Sequence, residues 1–107
     1  MTIKISVDFS ETPGARHRSE GAYSGEEFRD DLLIKKYNIA KQNGEKMIID
    51  FDGGYGYPTS FLEEAFGGLA RIYSPDEVLK TLDFISLDEP SLIDEVKTYI
   101  TTANEKR

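Results

Sequence analysis

Three short segments of the chain carry the side-chain patterns of β-strands. Residues 2–7 alternate polar and apolar side chains, which is typical of a strand with one buried face. Residues 47–51 are apolar except for Asp50, which is typical of a central strand covered on both faces. The third predicted strand covers residues 82–87. Helical stretches separate these segments, so the pattern predicts strands joined by right-handed helical crossovers.

Four segments have the apolar spacing and the start signals of helices. The predicted helices begin after Ser24, near Ser60, at Pro75 and at Pro90. Ser24 and Ser60 each stand three residues before a glutamate, which is the spacing of a capping box. Gly44 is a suitable end for the first helix. The second predicted capping box pairs Ser60 with Glu63, and the helix that follows keeps an apolar face.

Length and composition narrow the class of protein. A chain of 107 residues fits one domain, and its 38% hydrophobic and 31% charged residues are typical of a globular protein. We therefore predict a single α/β domain over residues 1–107, with a small sheet of about three to five strands covered by three to four helices. The tail from residue 102 to residue 107 is expected to fray.

Charge and residue usage exclude several kinds of function. The net charge of −7 and the lack of a basic stripe argue against nucleic-acid binding and favour a basic face on any protein partner. The absence of cysteine excludes disulfides and thiolate metal sites, and a single histidine makes a poor zinc site. No apolar run is long enough for a membrane span or a signal peptide, so we expect a cytoplasmic protein. We expect neither a metal nor a cofactor.

The turn between the second strand and the second helix holds the densest candidate chemistry. Thr59 and Ser60 bring two hydroxyls to a predicted helix start, where backbone N–H groups point outward and negative charge is tolerated. Three interpretations stay open: Ser60 as a plain helix cap, a phosphorylation switch, and an anion site. Thr59 and Ser60 are therefore the candidate phospho-acceptors.

Two arginines form the alternative anion site. Arg16 and Arg18 carry the concentrated positive charge before the first long helix, and guanidinium groups pair well with phosphate or carboxylate. If their loop folds toward Thr59, they can receive a phosphate there. Together with the glycine-rich turn over residues 53–56, they define an alternative function as a small anion- or nucleotide-binding module.

Asp50 and Asp52 suggest a third, enzymatic alternative. An apolar strand followed by Asp50-Phe51-Asp52-Gly53 resembles the nucleophile motif of haloacid-dehalogenase phosphotransferases, which act with Mg²⁺. The motif does not follow the first strand, and no later strand supplies the expected metal-binding aspartates. The competing interpretation is that both carboxylates fix the turn through hydrogen bonds to backbone groups.

Exposed aromatic and polar residues near the turn are candidates for partner binding. The candidate contact residues are Tyr55, Tyr57, Phe61 and Glu64. Gly67-Gly68 within the same helix costs roughly 1 kcal/mol per glycine relative to alanine, which indicates close packing at that point. The packed element belongs either to this chain or to a partner.

The order of these features resembles a known fold. Residues 47–71 resemble a STAS-type domain, the fold of anti-sigma-factor antagonists: apolar strand, aspartate, glycine-bearing turn, two hydroxyl residues and apolar helix. Over nearly its whole length the chain resembles small bacterial proteins described as STAS-like domains of unknown function. That narrower resemblance rests on Arg-x-Arg-Ser-x-Gly-x-x-Ser-Gly-Glu-x-Phe-Arg at residues 16–29 and Ser-Phe-Leu-Glu-Glu-Ala-Phe-Gly-Gly-Leu at residues 60–69.

The resemblance implies a non-catalytic regulatory domain that binds proteins. The antagonists bind a histidine-kinase-like ATPase, which phosphorylates a hydroxyl at the helix start. Thr59 stands at that acceptor position and Ser60 beside it. The antagonists usually carry an aspartate just before the acceptor, where this chain has Pro58.

Overall fold

The computed structural model describes residues 1–106 as three strands and five helices. In chain order the elements are β1 (Thr2–Lys4), α1 (Ile5–Asp8), α2 (residues 25–43), β2 (Met47–Asp50), α3 (residues 59–73), α4 (Pro75–Thr81), β3 (Leu82–Ile85) and α5 (Ser91–Thr101). Two 3₁₀ turns, Arg18–Glu20 and Ala103–Lys106, supplement them. The two long helices, α2 and α3, each contain a π-helical segment: Arg29–Leu33 and Glu63–Gly67.

The three strands form one parallel sheet in the order β1-β2-β3. Both crossovers run in the same direction across the sheet, so right-handed connections place the helices on one face. Burial agrees with this: Ile3, Met47 and Ile49 are fully buried, whereas Thr2 and Asp83 on the opposite face are exposed. The expectation that the central strand is covered on both faces is therefore wrong.

A cluster of aromatic rings fills the space between the sheet and the helices. The ring of Phe28 on α2 lies 5.6 Å from that of Phe61 on α3 and 6.0 Å from that of Phe66. Phe61 is fully buried in this cluster, so it offers no surface to a partner, and its proposed role as a contact residue is corrected. The apolar period of α3 pointed to a buried face but did not assign Phe61 to it.

Most element boundaries agree with the predictions, and the α/β class is confirmed. Ser24 accepts a hydrogen bond from the N–H of Glu27 (3.0 Å), and Gly44 ends α2 in the left-handed conformation. Ser74 likewise accepts one from Glu77 (3.3 Å) at the start of α4. These local signals were sufficient because each involves groups only three residues apart.

Several predicted boundaries differ from the structure, and β3 ends at Ile85 rather than residue 87. β1 ends at Lys4 rather than residue 7, because the chain turns into α1 and the N–H of Lys4 donates to the carboxylate of Asp8 (2.9 Å). The tail is folded as far as it is described: Ala103 is fully buried and accepts a hydrogen bond from Arg71 (3.3 Å). Arg107 lies outside the described residues. Within residues 1–106, no helix combines the length and the apolar character needed to cross a membrane.

Candidate functional site

Thr59 is the first residue of α3 and is exposed. The residue before it, Pro58, occupies the N-cap position, and no side chain caps the helix there. Ser60 is the second helical residue and half-buried, so the predicted capping box of Ser60 with Glu63 is wrong. The N-cap is Pro58, two residues before the predicted cap at Ser60, and Glu63 pairs with arginines instead. Thr59 therefore stands at a helix start whose first N–H groups have no side-chain partner within residues 1–106.

The turn before Thr59 is fixed by carboxylates. Asp50 accepts a hydrogen bond from the N–H of Asp52 (2.9 Å). Asp52 in turn accepts from the N–H groups of Leu87 (3.1 Å) and Asp88 (2.9 Å), and Asp88 accepts from Gly53 (3.2 Å). These bonds tie the turn to the loop after β3. The interpretation that Asp50 and Asp52 fix the turn is confirmed.

The enzymatic alternative gains no metal site from the structure. Nowhere in residues 1–106 do three His, Cys, Asp or Glu side chains converge in a way that could hold a metal ion. Asp50 and Asp52 both accept hydrogen bonds from backbone N–H groups, which gives each carboxylate a structural role.

The two tyrosines of the turn have different surroundings. Tyr55 is 84% exposed and points its ring into solvent. Tyr57 packs its ring against Phe51, with centroids 5.3 Å apart, and its hydroxyl donates to the Phe51 carbonyl (2.8 Å). Burial, together with the negative charges of Asp50 and Asp52, raises the pKa of Tyr57. Of the two candidate contact residues, Tyr55 is the accessible one, whereas Tyr57 mainly supports the turn.

The glycines of this turn are required by its backbone. Gly53 and Gly56 have φ angles of 93° and 124°, in the region that other residues rarely adopt. At Gly53 a β-carbon would also lie 2.9 Å from the hydroxyl oxygen of Ser6. The glycine content is therefore explained by the path of the chain, without a bound phosphate.

The predicted anion clamp is not formed, because both arginines are paired with carboxylates. Arg16 donates through Nη1 to Glu63 and to Glu64 (3.3 Å to Glu64). Arg18 donates to Asp31 (2.7 Å) at the surface. The loop of Arg16 does fold against α3, as the hypothesis required. Its guanidinium makes an internal ion pair there, so binding of an external anion by Arg16 and Arg18 stays a prediction that requires these ion pairs to open.

Arg16 belongs to a network of charged side chains at the π-helical segments of α2 and α3, in which Arg29 also donates to Asp30 (2.9 Å). Arg29 donates to the carboxylate of Glu64 and to its backbone carbonyl (3.1 Å), and Arg71 donates to Glu63 (2.8 Å). The side chains of Arg29, Glu64, Glu63 and Arg71 are each between 11% and 14% exposed. Glu64 is thus committed within the chain, which leaves little of it available to a partner.

The network explains the glycine pair in α3. A β-carbon at Gly67 would lie 2.7 Å from a carboxylate oxygen of Glu63, and one at Gly68 would lie 2.5 Å from Nη1 of Arg29. The close packing that Gly67-Gly68 predicted therefore comes from this chain's own side chains. The sequence did not show that Arg29 and Arg71 pair with Glu64 and Glu63 beside these glycines. The glycine pair was the available signal, but it did not specify what packs there.

The network also sets the ionisation of its carboxylates. Burial disfavours the charged form of Glu63, but hydrogen bonds from Arg71 and Arg16 outweigh this, so the pKa of Glu63 lies below its ordinary value. Burial opposes ionisation of Glu64 in the same way, and bonds from Arg29 and Arg16 lower its pKa. Both residues are therefore carboxylates at neutral pH, and the network is close to charge-balanced.

The fold and the site define a small α/β domain with one open sheet face and an exposed hydroxyl at the start of its central helix. Residues 24–92, more than half of the chain, match the family described as STAS-like domain of unknown function (DUF4325). The chain belongs to this family. The matched range runs from the Ser24 cap to the start of α5 and includes the Thr59 turn and the glycine pair. No curated protein and no solved structure matched the chain.

Proposed function

We propose that this domain is a non-catalytic regulatory module that binds a protein partner through the turn at residues 53–60 and the start of α3, with phosphorylation of Thr59 as the switch. The observation that carries the proposal is the position of Thr59. Thr59 is exposed and begins a long helix, and in the described part of the chain no side chain caps that helix start. The family match, which covers this segment, supports the comparison with anti-sigma-factor antagonists.

The physical effect of a phosphate at Thr59 supports a switch. It adds close to two negative charges, which the partial positive charge of a helix N-terminus tolerates. The same charge would lie beside the exposed ring of Tyr55 and the carboxylate-rich turn. A partner that docks on this surface through basic groups and aromatic contacts would then meet a changed potential. Phosphorylation would therefore alter docking more than it alters folding.

The partner we propose is a histidine-kinase-like ATPase, following the antagonists that the chain resembles. Such an enzyme would transfer the terminal phosphoryl group of ATP to the Thr59 oxygen, releasing ADP and the hydroxyl proton. The net charge of −7 favours a basic docking face on that enzyme. Pro58 holds extended backbone just before the helix and presents Thr59 without a neighbouring acid.

The decisive experiment maps phosphate after co-expression with a genomically adjacent kinase-like ATPase. Thr59→Ala is expected to abolish phosphate uptake, whereas Ser60→Ala, the matched control at the adjacent half-buried hydroxyl, is expected to retain it. Tyr55→Ala is expected to weaken partner binding by about tenfold if Tyr55 is a docking residue. Phosphate uptake and binding that are unchanged in Thr59→Ala would contradict the switch.

The two alternatives have less support. The anion-binding alternative is weaker because Arg16 already pairs with Glu63 and Glu64, and Arg18 already pairs with Asp31. A thermal-shift screen with nucleotides and phosphates tests it, because a ligand that binds the native state raises the melting temperature. The phosphotransferase is tested by Asp50→Asn, which would abolish a phosphatase activity only if Asp50 were the nucleophile.

A further inference from the structure

The outer edge of β3 is an unpaired sheet edge. β3 is the last strand of the sheet, and the carbonyl of Ile85 accepts a hydrogen bond from Phe51 on the β2 side (2.9 Å). Successive residues of a strand direct their backbone groups to opposite edges, so the N–H and C=O of Phe84 point away from β2. Within residues 1–106 the structure gives neither group a hydrogen-bond partner. Such an edge is a template for another strand.

A groove runs along this edge on the helix-bearing side of the sheet. Its volume is about 590 Å³, and it is lined by Leu79, Leu82, Asp83, Phe84, Ile93 and Lys97. Four of these six side chains are apolar. The side chain of Asp83 points to the opposite face of the sheet, where it pairs with Lys46 (3.6 Å). The charged side chain at the border of the groove is therefore that of Lys97 on α5.

Lys97 adds a charge preference to the groove. It is exposed, and it takes part in no ion pair among the residues that the structure describes. An acidic side chain of a ligand would complement it at the rim of an otherwise apolar groove.

We propose that β3 and this groove bind an extended peptide of another protein as a fourth strand of the sheet. Its backbone pairs with the outward groups of Phe84, and its apolar side chains at alternate positions enter the groove. A carboxylate on the same face of the peptide meets Lys97. This surface lies along β3 and α5, apart from the Thr59 turn, so the inference goes beyond the proposed function.

A second copy of the chain fits this edge less well. Two β3 edges pairing about a two-fold axis would place Leu82 and Phe84 of each copy beside the groove of the other, and neither side chain carries a negative charge to complement Lys97. A separate peptide provides both the backbone groups and the filling side chains. A peptide can also carry the carboxylate that Lys97 favours, and this charge complementarity favours a peptide over a dimer.

The test uses the isotopically labelled full chain and two capped peptides, Thr-Val-Thr-Leu-Thr-Glu-Thr and its reverse, which cover both strand directions. In each, two apolar side chains and one glutamate share a face. We expect amide NMR shifts at Phe84, Ile85, Ile93 and Lys97, and loss of fast hydrogen exchange at the Phe84 amide. A version N-methylated at its central residues keeps the side chains but lacks the N–H groups, and it is expected not to bind.

Charge variants provide the matched control. Lys97→Glu is expected to weaken binding of the glutamate peptides by roughly two- to fivefold, the range of one exposed ion pair. Lys35→Glu makes the same charge change at an exposed position of α2 and is expected to leave binding unchanged. No shifts along β3 at millimolar peptide, or equal binding of the N-methylated peptide, would overturn the proposal. Concentration-dependent shifts of these amides without peptide would assign the edge to a second copy and overturn it as well.

Discussion

Arg29 on α2 occupies the space that a side chain on Gly68 of α3 would need: a β-carbon at Gly68 would lie 2.5 Å from Nη1 of Arg29 and 3.1 Å from its Cδ. Nη1 is the atom that bonds the carboxylate and the carbonyl of Glu64. The two long helices therefore approach each other where Gly68 of α3 leaves room for Arg29 of α2, which pairs with Glu64 of α3.

This contact predicts the effect of Gly68→Ala. In an unobstructed helix the change would stabilise the protein by about 1 kcal/mol, because alanine is the better helix former. Here the methyl group displaces Arg29 from Glu64, so we expect no gain and a loss of about 1 kcal/mol, measured as the free energy of unfolding in urea.

The Arg29→Ala background supplies the control for that prediction. With the guanidinium removed, Gly68→Ala is expected to become stabilising, by up to about 1 kcal/mol relative to Arg29→Ala alone. Equal effects of Gly68→Ala in both backgrounds would show that Arg29 and Gly68 are not coupled.

The network of Arg16, Arg29, Arg71, Glu63 and Glu64 predicts an acid-sensitive stability. The pKa values of Glu63 and Glu64 are lowered from the ordinary 4.5 in the folded protein, so the unfolded chain binds protons first as pH falls. The stabilisation is fully present above pH 4.5 and is lost as pH falls below it and through the folded-state pKa values.

Urea unfolding curves between neutral pH and about pH 3 test this. Glu63→Gln with Glu64→Gln is expected to lower stability at neutral pH and to flatten the loss in acid, because these two residues no longer take up protons. A double variant that keeps the full pH dependence would show that Glu63 and Glu64 do not cause the loss of stability in acid.

At Tyr37 we expect a substitution that stabilises the protein or leaves its stability unchanged. Tyr37 is fully buried, and its hydroxyl has no hydrogen-bond partner in residues 1–106. Burial raises the pKa of Tyr37, and the neighbouring hydroxyl of Thr81 donates instead to the carbonyl of Glu77 (2.9 Å). Tyr37→Phe removes an unsatisfied polar atom and is expected to be neutral or stabilising by about 1 kcal/mol.

Thermal and urea unfolding of Tyr37→Phe measure this directly. Tyr57→Phe is the matched control, because the hydroxyl of Tyr57 donates to the Phe51 carbonyl (2.8 Å) and its loss is expected to cost about 1 kcal/mol. If both variants lose the same stability, the hydroxyl of Tyr37 has a partner in solution.

We expect the carboxylate of Asp52 to hold the turn after β2 and the loop after β3 together. Asp52→Ala removes the acceptor of two backbone N–H groups, those of Leu87 and Asp88, and is expected to destabilise the protein by about 1–2 kcal/mol. Faster amide hydrogen exchange at both residues would accompany the loss.

Asp83→Ala is the control for Asp52→Ala. Asp83 makes an exposed ion pair with Lys46 (3.6 Å), so its removal is expected to change stability by less than about 0.5 kcal/mol. Equal effects of the two substitutions would show that the bonds of Asp52 do not hold the loops together.

The amino-acid sequence by itself determined the order of the three strands and of the helices α2 to α5, the caps at Ser24 and Ser74, and the turn bonds of Asp50. Each of these depends on groups within a few residues of one another, so the local pattern contains the whole interaction. The sequence also placed Thr59 close to the start of α3.

Only the tertiary structure decided which charges pair and which faces are covered. Arg16 and Glu63 are 47 residues apart, and nothing in the local pattern distinguishes an arginine that binds an external anion from one that binds a glutamate across the fold. The same holds for Phe61, whose burial depends on Phe28 of another helix, and for the open sheet face, which follows from two crossovers running the same way. Long-range pairing is set by how the elements pack, and packing depends on the whole chain at once.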